Sequence, residues 1–188
     1  MPIGIRRALF LLFAAGLTTA ACARPNILFI LTDDQSYRSV SSYEGARPWV
    51  ATPHIDALGY GGVRFKSAYV GTWCMPARVS LLTGRLPHAV ESVRMEGAYP
   101  GVIYDPAQTP FWPRVFREQG YSTGHIGKWH CGADTGAGRD WDYQAAWLRP
   151  QRADNPDGTS YYQDQLISFN GGTPRPVAGY STDNYTDW

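Results

Sequence analysis

Thr72-Trp73-Cys74-Met75-Pro76-Ala77-Arg78-Val79-Ser80-Leu81-Leu82-Thr83-Gly84-Arg85 is the stretch on which the reading of this chain turns. Pro76 suits the first turn of a helix, where its missing N–H costs nothing, and Val79, Leu81 and Leu82 give that helix an apolar face. Gly84 stops it. Cys74 then sits just ahead of a helix N-terminus, where free backbone N–H groups and the positive end of the dipole favour an anion. Arg78, one turn on, adds a fixed cation pointing back to the same spot. A nucleophile at position 74 would face a bound oxyanion. Taken alone, a single cysteine is more often a small buried hydrophobe.

The 188 residues are 44% hydrophobic and 18% charged, enough to bury one sizeable core, so a single domain is expected. A formal net charge of +1 gives no reason to expect nucleic acid or an anionic membrane as partner. Residues 1–23 are built like a secretory signal: Arg6 and Arg7, an apolar run from Ala8 to Leu17, then Ala21-Cys22-Ala23 as a small-x-small cleavage site. The run is too short to span a bilayer. Cleavage before Arg24 removes two arginines and no acid, taking the charge to −1, and residues 24–188 are expected to be exported to the periplasm or the medium. Lipoprotein anchoring through Cys22 is the weaker alternative, because Thr19 stands where such sites call for leucine. With Cys22 in the signal, Cys74 and Cys131 are too few for a disulfide scaffold. Cys131 reads as a buried or free thiol, with a bridge to Cys74 left open.

Asn26-Ile27-Leu28-Phe29-Ile30-Leu31-Thr32 is a continuous apolar run, as in a central parallel strand covered on both faces, and it ends in Asp33-Asp34. Ligands of open α/β sheets gather at the carboxyl ends of strands. Two adjacent carboxylates there repel unless a cation lies between them, and a hard divalent ion suits their oxygens. A solvated turn is the plain alternative. Thr52-Pro53-His54-Ile55-Asp56-Ala57-Leu58 reads as a short helix capped by Thr52 and broken at Gly59, Gly61 and Gly62, with His54 a surface or capping residue. Val63 to Val70 reads as a strand and residues 86–108 as irregular chain. A helix is expected from Thr109 to Gly120, with Phe111, Val115 and Phe116 buried, then a strand from Tyr121 to Ile126 leading into Gly127-Lys128-Trp129-His130. In extended chain Lys128 and His130 would leave one face together and converge on one anion, while Trp129 packs on the other. Leu166–Asn170, Gly171-Gly172 and Thr173–Val177 predict a hairpin, and Ser181-Thr182-Asp183 reads as a helix cap. Trp141, Trp147, Tyr161 and Tyr162 are expected to pack or anchor loops, though such rings could also stack on sugars.

Cys-x-Pro-x-Arg at 74–78, the Thr83-Gly84 that follows, and Gly-Tyr-Ser-Thr-Gly-His-Ile-Gly-Lys-Trp-His at 120–130 resemble the two signatures of the formylglycine-dependent sulfatases. Asp33-Asp34 and the Thr-Pro-x-Ile-Asp-x-Leu segment are similar to that family too. The resemblance implies an alkaline-phosphatase-like α/β fold, a mainly parallel sheet flanked by helices on both faces, incomplete at its C-terminal end. It implies a sulfuric ester hydrolase acting on a sulfated carbohydrate or aryl ester. Cys74 would be oxidised to formylglycine by a maturation enzyme, and its hydrate would attack sulfur and later regenerate the aldehyde. Arg78 and His130 would be catalytic, and Lys128 with His130 would bind the sulfate. Asp33, Asp34 and residue 74 would hold a metal, calcium ahead of magnesium. The family's later Asp-Asn pair, a further histidine and a second lysine have no counterpart before Trp188, so residues 24–188 read as the amino-terminal part of the catalytic domain, expected to be inactive alone. Two alternatives stand beside this: a phosphate or phosphonate ester hydrolase of the same superfamily, and a secreted fragment without catalysis.

Overall fold

The structure, a computed structural model, describes residues 24–69, 74–90, 109–132, 134–148 and 161–188. The expected signal with Cys22, Thr72, Trp73 and most of the irregular stretch 86–108 lie outside those residues. The chain divides into two compact units, Met1–Tyr37 and Arg38–Trp188.

In the first unit the apolar run 26–32 carries no strand, and Ile27 to Leu31 are exposed, Leu28 by 85%. This corrects the expectation of a central strand. A strand exists only through its ladder, and among the described residues no backbone pairs with this one.

The second unit opens with helix α1, Pro53–Gly61. Thr52 makes no side-chain cap to the helix backbone. Instead Asp56, in the first turn, gathers the chain before it: Ser42 N–H and Thr52 Oγ1 each donate to Oδ1 at 3.0 Å, and Ser41 Oγ donates to Oδ2 at 2.5 Å. These bonds, that from Ser41 first, hold the Asp56 carboxyl below its ordinary range. Anchored so, the helix runs through Gly59 to Gly61, past the expected break; one interior glycine costs about 1 kcal/mol, too little to end it. Residues 63–69 form no strand, and Val63, Phe65 and Tyr69 are exposed.

Helix α2, Cys74–Thr83, buries Met75, Pro76, Val79 and Leu82, the first, second-turn and third-turn positions of one face. Gly84 ends it as expected, at φ 67, a left-handed conformation that satisfies a last carbonyl: its N–H donates to Ser80 O at 2.8 Å. Helix α3, Trp112–Glu118, starts later than its sequence suggested, with Phe111 as N-cap and Pro113 in the first turn. Its inward face is therefore rotated. Trp112 and Phe116 pack edge to face at 5.6 Å, and Val115, expected inside, is 48% exposed.

One four-stranded sheet follows: β1 Gly124–Lys128, β2 Tyr143–Trp147, β3 Leu166–Phe169 and β4 Arg175–Pro176, in that spatial order. β1 and β2 are parallel, with Gly124 opposite Tyr143 and Lys128 opposite Trp147, and the other two pairs are antiparallel. The α/β class holds, with a mixed sheet among the described residues. A parallel pair needs a long crossover; here residues 129–142 supply it. The crossover is pinned by Arg139, whose Nη2 meets the buried Asp140 at 2.8 Å and whose Nη1 meets Asp134 at 2.7 Å, and by Arg117 on Asp142 at 2.7 Å. The expected hairpin is β3–β4, turning at Asn170-Gly171. The chain closes with helix α4, Ser181–Asp187, whose N-cap is Tyr180 without a side-chain cap, so that Ser181-Thr182-Asp183, read as the cap, form its first turn.

Strand β2 shows why both sheet faces are covered. Ala146 joins Met75, Val79, Leu82, Phe111, Trp129 and Trp141 in one core, beneath α2. Its neighbours Ala145 and Trp147 point the other way, into a second core with Ile167, against which Tyr185 of α4 packs.

Candidate active site

Cys74 opens α2 and Arg78 lies four residues on, so both side chains rise from one helix face. β1 ends on Lys128. Its ammonium Nζ donates to Cys74 Sγ at 3.4 Å, and Arg78 Nη1 donates to the Lys128 carbonyl at 2.6 Å. Helix start and strand end are thus tied twice, once through side chains and once through the main chain. The strand can end there because Gly127 adopts φ +106, a conformation L side chains rarely take, with the Tyr185 ring 3.7 Å from where a Cβ would stand. Trp129 N–H then donates to Trp147 O at 2.9 Å, carrying the β1–β2 ladder one step past Lys128.

His130 departs from its expected geometry. It is buried, but it stands at φ 55, so the extended alternation that was to place it on the face of Lys128 stops at the end of β1. Left-handed backbone at a residue other than glycine is uncommon and gathers at functional sites. Asp34 has the same φ of 55. Two of the residues named from sequence therefore sit in a conformation that sequence alone does not announce.

Three ionisable groups, of which Cys131 is fully buried, register the charge of Arg78. Burial, and after it the Arg78 cation, lowers His125 to about 4, against a hydrogen bond to the Lys128 backbone that favours the protonated ring. Burial pushes the Cys131 thiol up to about 12, with Arg78 and Lys128 acting in the opposite sense. Tyr185 is likewise raised by burial, against its hydrogen bond to Gln165 and the charge of Arg78. Cys131 and Cys74 are both free thiols, so the bridge left open by the sequence does not form. Sequence reasoning assigned no role to His125 or Tyr185. The first was visible only as a letter inside the second motif, and nothing in the sequence ties Tyr185 to Gly127.

Asp33 and Asp34 belong to the first unit and are exposed side by side after residue 32. Their donor chemistry, carboxylate oxygens only, fits a hard cation such as calcium or magnesium and not a soft one. His54 is exposed, in keeping with a surface role. Trp141 and Trp147 are core residues, while Tyr161 and Tyr162 are exposed by 41% and 65%.

A thiol at a helix start, held by a lysine ammonium with an arginine behind it, on an α/β scaffold, defines an anion-handling site with a nucleophile position. The sulfatase family model matches residues 25–187. Over 132 residues the chain is 46% identical to arylsulfatase A of Bos taurus, which covers 66% of this chain and 24% of that protein. Over 137 residues it is 42% identical to arylsulfatase A of Homo sapiens, 69% of this chain and 25% of that one. An N-acetylglucosamine-6-O-sulfatase of Bacteroides thetaiotaomicron is 30% identical over 186 residues, 94% of this chain and 30% of that protein. Among solved structures, Ps i-CgsB superposes with a TM-score of 0.60 at 27% identity, covering 81% of this chain and 37% of that one. The chain belongs to the sulfatase family. It spans about a quarter of the length of the arylsulfatases it matches.

Proposed function

We propose that this chain carries the nucleophile and sulfate-binding part of a sulfuric ester hydrolase. The observation that carries the reading is the 3.4 Å contact of Lys128 Nζ with Cys74 Sγ, with Arg78 fastened to the Lys128 carbonyl behind it. Here the sulfur atom of Cys74 stands in for an oxygen of formylglycine or its hydrate, and the Cβ that bears it for the aldehyde carbon. Once formed and hydrated, that aldehyde supplies the attacking oxygen, so that one difficult displacement becomes two easier ones. Lys128 faces the sulfate and balances charge that develops on its oxygens, and Arg78 adds a second fixed cation. His130 acts from its buried place two residues past Lys128 as the hydrogen-bonding partner of residue 74. Asp33 and Asp34 supply carboxylates for a divalent ion, calcium ahead of magnesium, whose contribution when bound is Lewis-acid polarisation of the sulfate.

Sulfated carbohydrate is the substrate class with most support. A relative of this chain is an N-acetylglucosamine-6-O-sulfatase, and Ps i-CgsB has been solved in complex with k-i-k-neocarrahexaose. The leader-like pattern of residues 1–23 supports export. Among the described residues no helix is long and apolar enough to cross a membrane.

The test is co-expression with a formylglycine-generating enzyme, followed by peptide mass measurement at position 74 and assay of aryl sulfate, sugar sulfate and aryl phosphate with added calcium. Conversion at Cys74, with sulfate esters cleaved by the longer protein that contains this segment, is the expected result. An unmodified thiol despite an active maturation enzyme, or turnover of phosphate in preference to sulfate, would overturn the proposal.

A further inference from the structure

Register alone would not bring Lys128 to Cys74. Lys128 stands opposite Trp147, and Trp147 with Ala145 points into the core against which α4 packs, so alternation sends the Lys128 side chain to the α4 face. A lysine stem can lie along such an apolar face with its ammonium at the rim, so that path is open unless something fills it. The ammonium instead meets Cys74 Sγ at 3.4 Å, at the start of α2, which packs with Ala146 on the opposite face. Gly127, at φ +106, is where the alternation breaks, and Tyr185 of α4 closes the space beside it: ring atoms Cδ2 and Cε2 both lie 3.7 Å from where a Cβ would stand. We propose that Tyr185 is a positioning residue, whose ring occupies the α4-side space at the end of β1 and so turns Lys128 toward Cys74.

A circuit of hydrogen bonds holds the ring in that place. Gln165 is buried, and its Nε2 donates to the Tyr161 carbonyl at 2.9 Å. A carbonyl only accepts, so the Gln165 amide can face one way alone, and its Oε1 is left to take the Tyr185 hydroxyl proton. The same Tyr161 carbonyl accepts Ser181 Oγ at 3.2 Å, and Ser181 N–H donates to Tyr162 O at 2.8 Å, which fastens the first turn of α4 to the segment that carries Gln165. Tyr185, four residues on from Ser181, is therefore tied both through its helix and at its hydroxyl. The Tyr161 ring packs edge to face on Trp147, the residue opposite Lys128, at 5.0 Å, so one network braces both strands at this end of the sheet. A smaller apolar side chain at 185 could line the core without reaching the strand end.

The inference rests on the anion-site reading only where sulfate is measured, and two readouts keep them apart. In chain that has not been matured, ortho-phthalaldehyde closes a fluorescent isoindole between an amine and a thiol that lie side by side, so its yield between Lys128 and Cys74, assigned by peptide mass, reports where Lys128 points. In parallel, inorganic sulfate is titrated by calorimetry. Both are run at a temperature at which circular dichroism shows each variant folded. Tyr185→Ala, replaced by Tyr185→Val should the alanine variant not fold, opens the space and is expected to cut the isoindole yield severalfold and to weaken sulfate about tenfold, the size of one lost hydrogen bond to a charged group. Tyr185→Phe keeps the ring and is expected to stay within about threefold of the native chain in both. Ile167→Ala hollows the same core away from Gly127 and is expected to lower the melting temperature while leaving the isoindole yield in place. No isoindole in the native chain, an unchanged yield in Tyr185→Ala, or an equal loss in Ile167→Ala or Tyr185→Phe would overturn the proposal. Should the native chain form isoindole but bind no sulfate, the anion-site reading fails, while the isoindole comparison still decides the role of Tyr185.

Discussion

Arg78 answers two demands at once, and they can be separated by measurement. It belongs to the Cys-x-Pro-x-Arg pattern, and it holds the Lys128 carbonyl at 2.6 Å. Arg78→Ala is expected to lower unfolding free energy by about 1–3 kcal/mol, the range for stripping a partner from a partly buried acceptor, as read by urea denaturation. The same variant should show little formylglycine at position 74 by peptide mass. His125 sets a pH dependence whose sign follows from its lowered value of about 4. As pH falls from the unfolded value near 6.5 toward 4, the unfolded chain takes up a proton that the folded one refuses, so stability declines across that window and levels below it. Denaturation curves of the native chain and His125→Phe between pH 7 and pH 4 are expected to diverge, the variant losing this component. Cys74, Arg78 and Lys128 were legible in the sequence because their spacing fixes them in two motifs. The link between them was not, because its acceptor is a main-chain carbonyl, which no letter of the sequence marks. The left-handed backbone of His130 was hidden for a similar reason: it is set by where β1 ends, not by the histidine itself.

At the scale of elements, the existence of the helices was readable, but the capping residues read for them were not, since Thr52 makes no side-chain cap and α4 takes Tyr180 as its N-cap. On α2 the expected apolar residues Val79 and Leu82 are buried while Leu81 is only half-buried and Met75 takes a place on the inner face, and the Asn170-Gly171 hairpin lies where local chemistry put it. The apolar run 26–32 misled, since hydrophobicity without a period says that a segment wants cover and not that it has found a partner strand, and the mixed segment 63–69 has no partner strand among the described residues either. The late start of α3 turned Val115 outward through a shift of a few residues, which is enough to rotate a helix face. Gly127 joins element to site. At φ +106, with the Tyr185 ring beside it, Gly127→Ala is expected to cost about 1–3 kcal/mol in stability through backbone strain. It should also weaken inorganic sulfate binding, because the strain falls on the residue just before Lys128. Calorimetry of both properties checks it; an unchanged melting temperature would show that the strand end tolerates a different path.

For the molecule as a whole, the contrast between the two thiols among the described residues gives a direct chemical check. Cys74 is half-buried at a helix start and Cys131 is fully buried, its thiol raised to about 12 by burial. Iodoacetamide under native conditions is expected to label Cys74 in chain that has not been matured, and Cys131 only after denaturation, by peptide mass. Ile27, Leu28, Phe29, Ile30 and Leu31 in the first unit, and Leu58, Val63 and Phe65 in the second, leave large apolar side chains exposed. Such surface binds hydrophobic dyes and promotes association. Dye fluorescence from the 188-residue chain is expected to be strong and to fall in Leu28→Lys, the most exposed of that first group. One feature of the site bears on how such a protein can drift over generations. Arg78 grips a carbonyl that every amino acid carries, so no codon change at position 128 can delete that acceptor. Half of the bond is beyond the reach of point mutation, and inheritance has only the arginine and the path of the chain to guard.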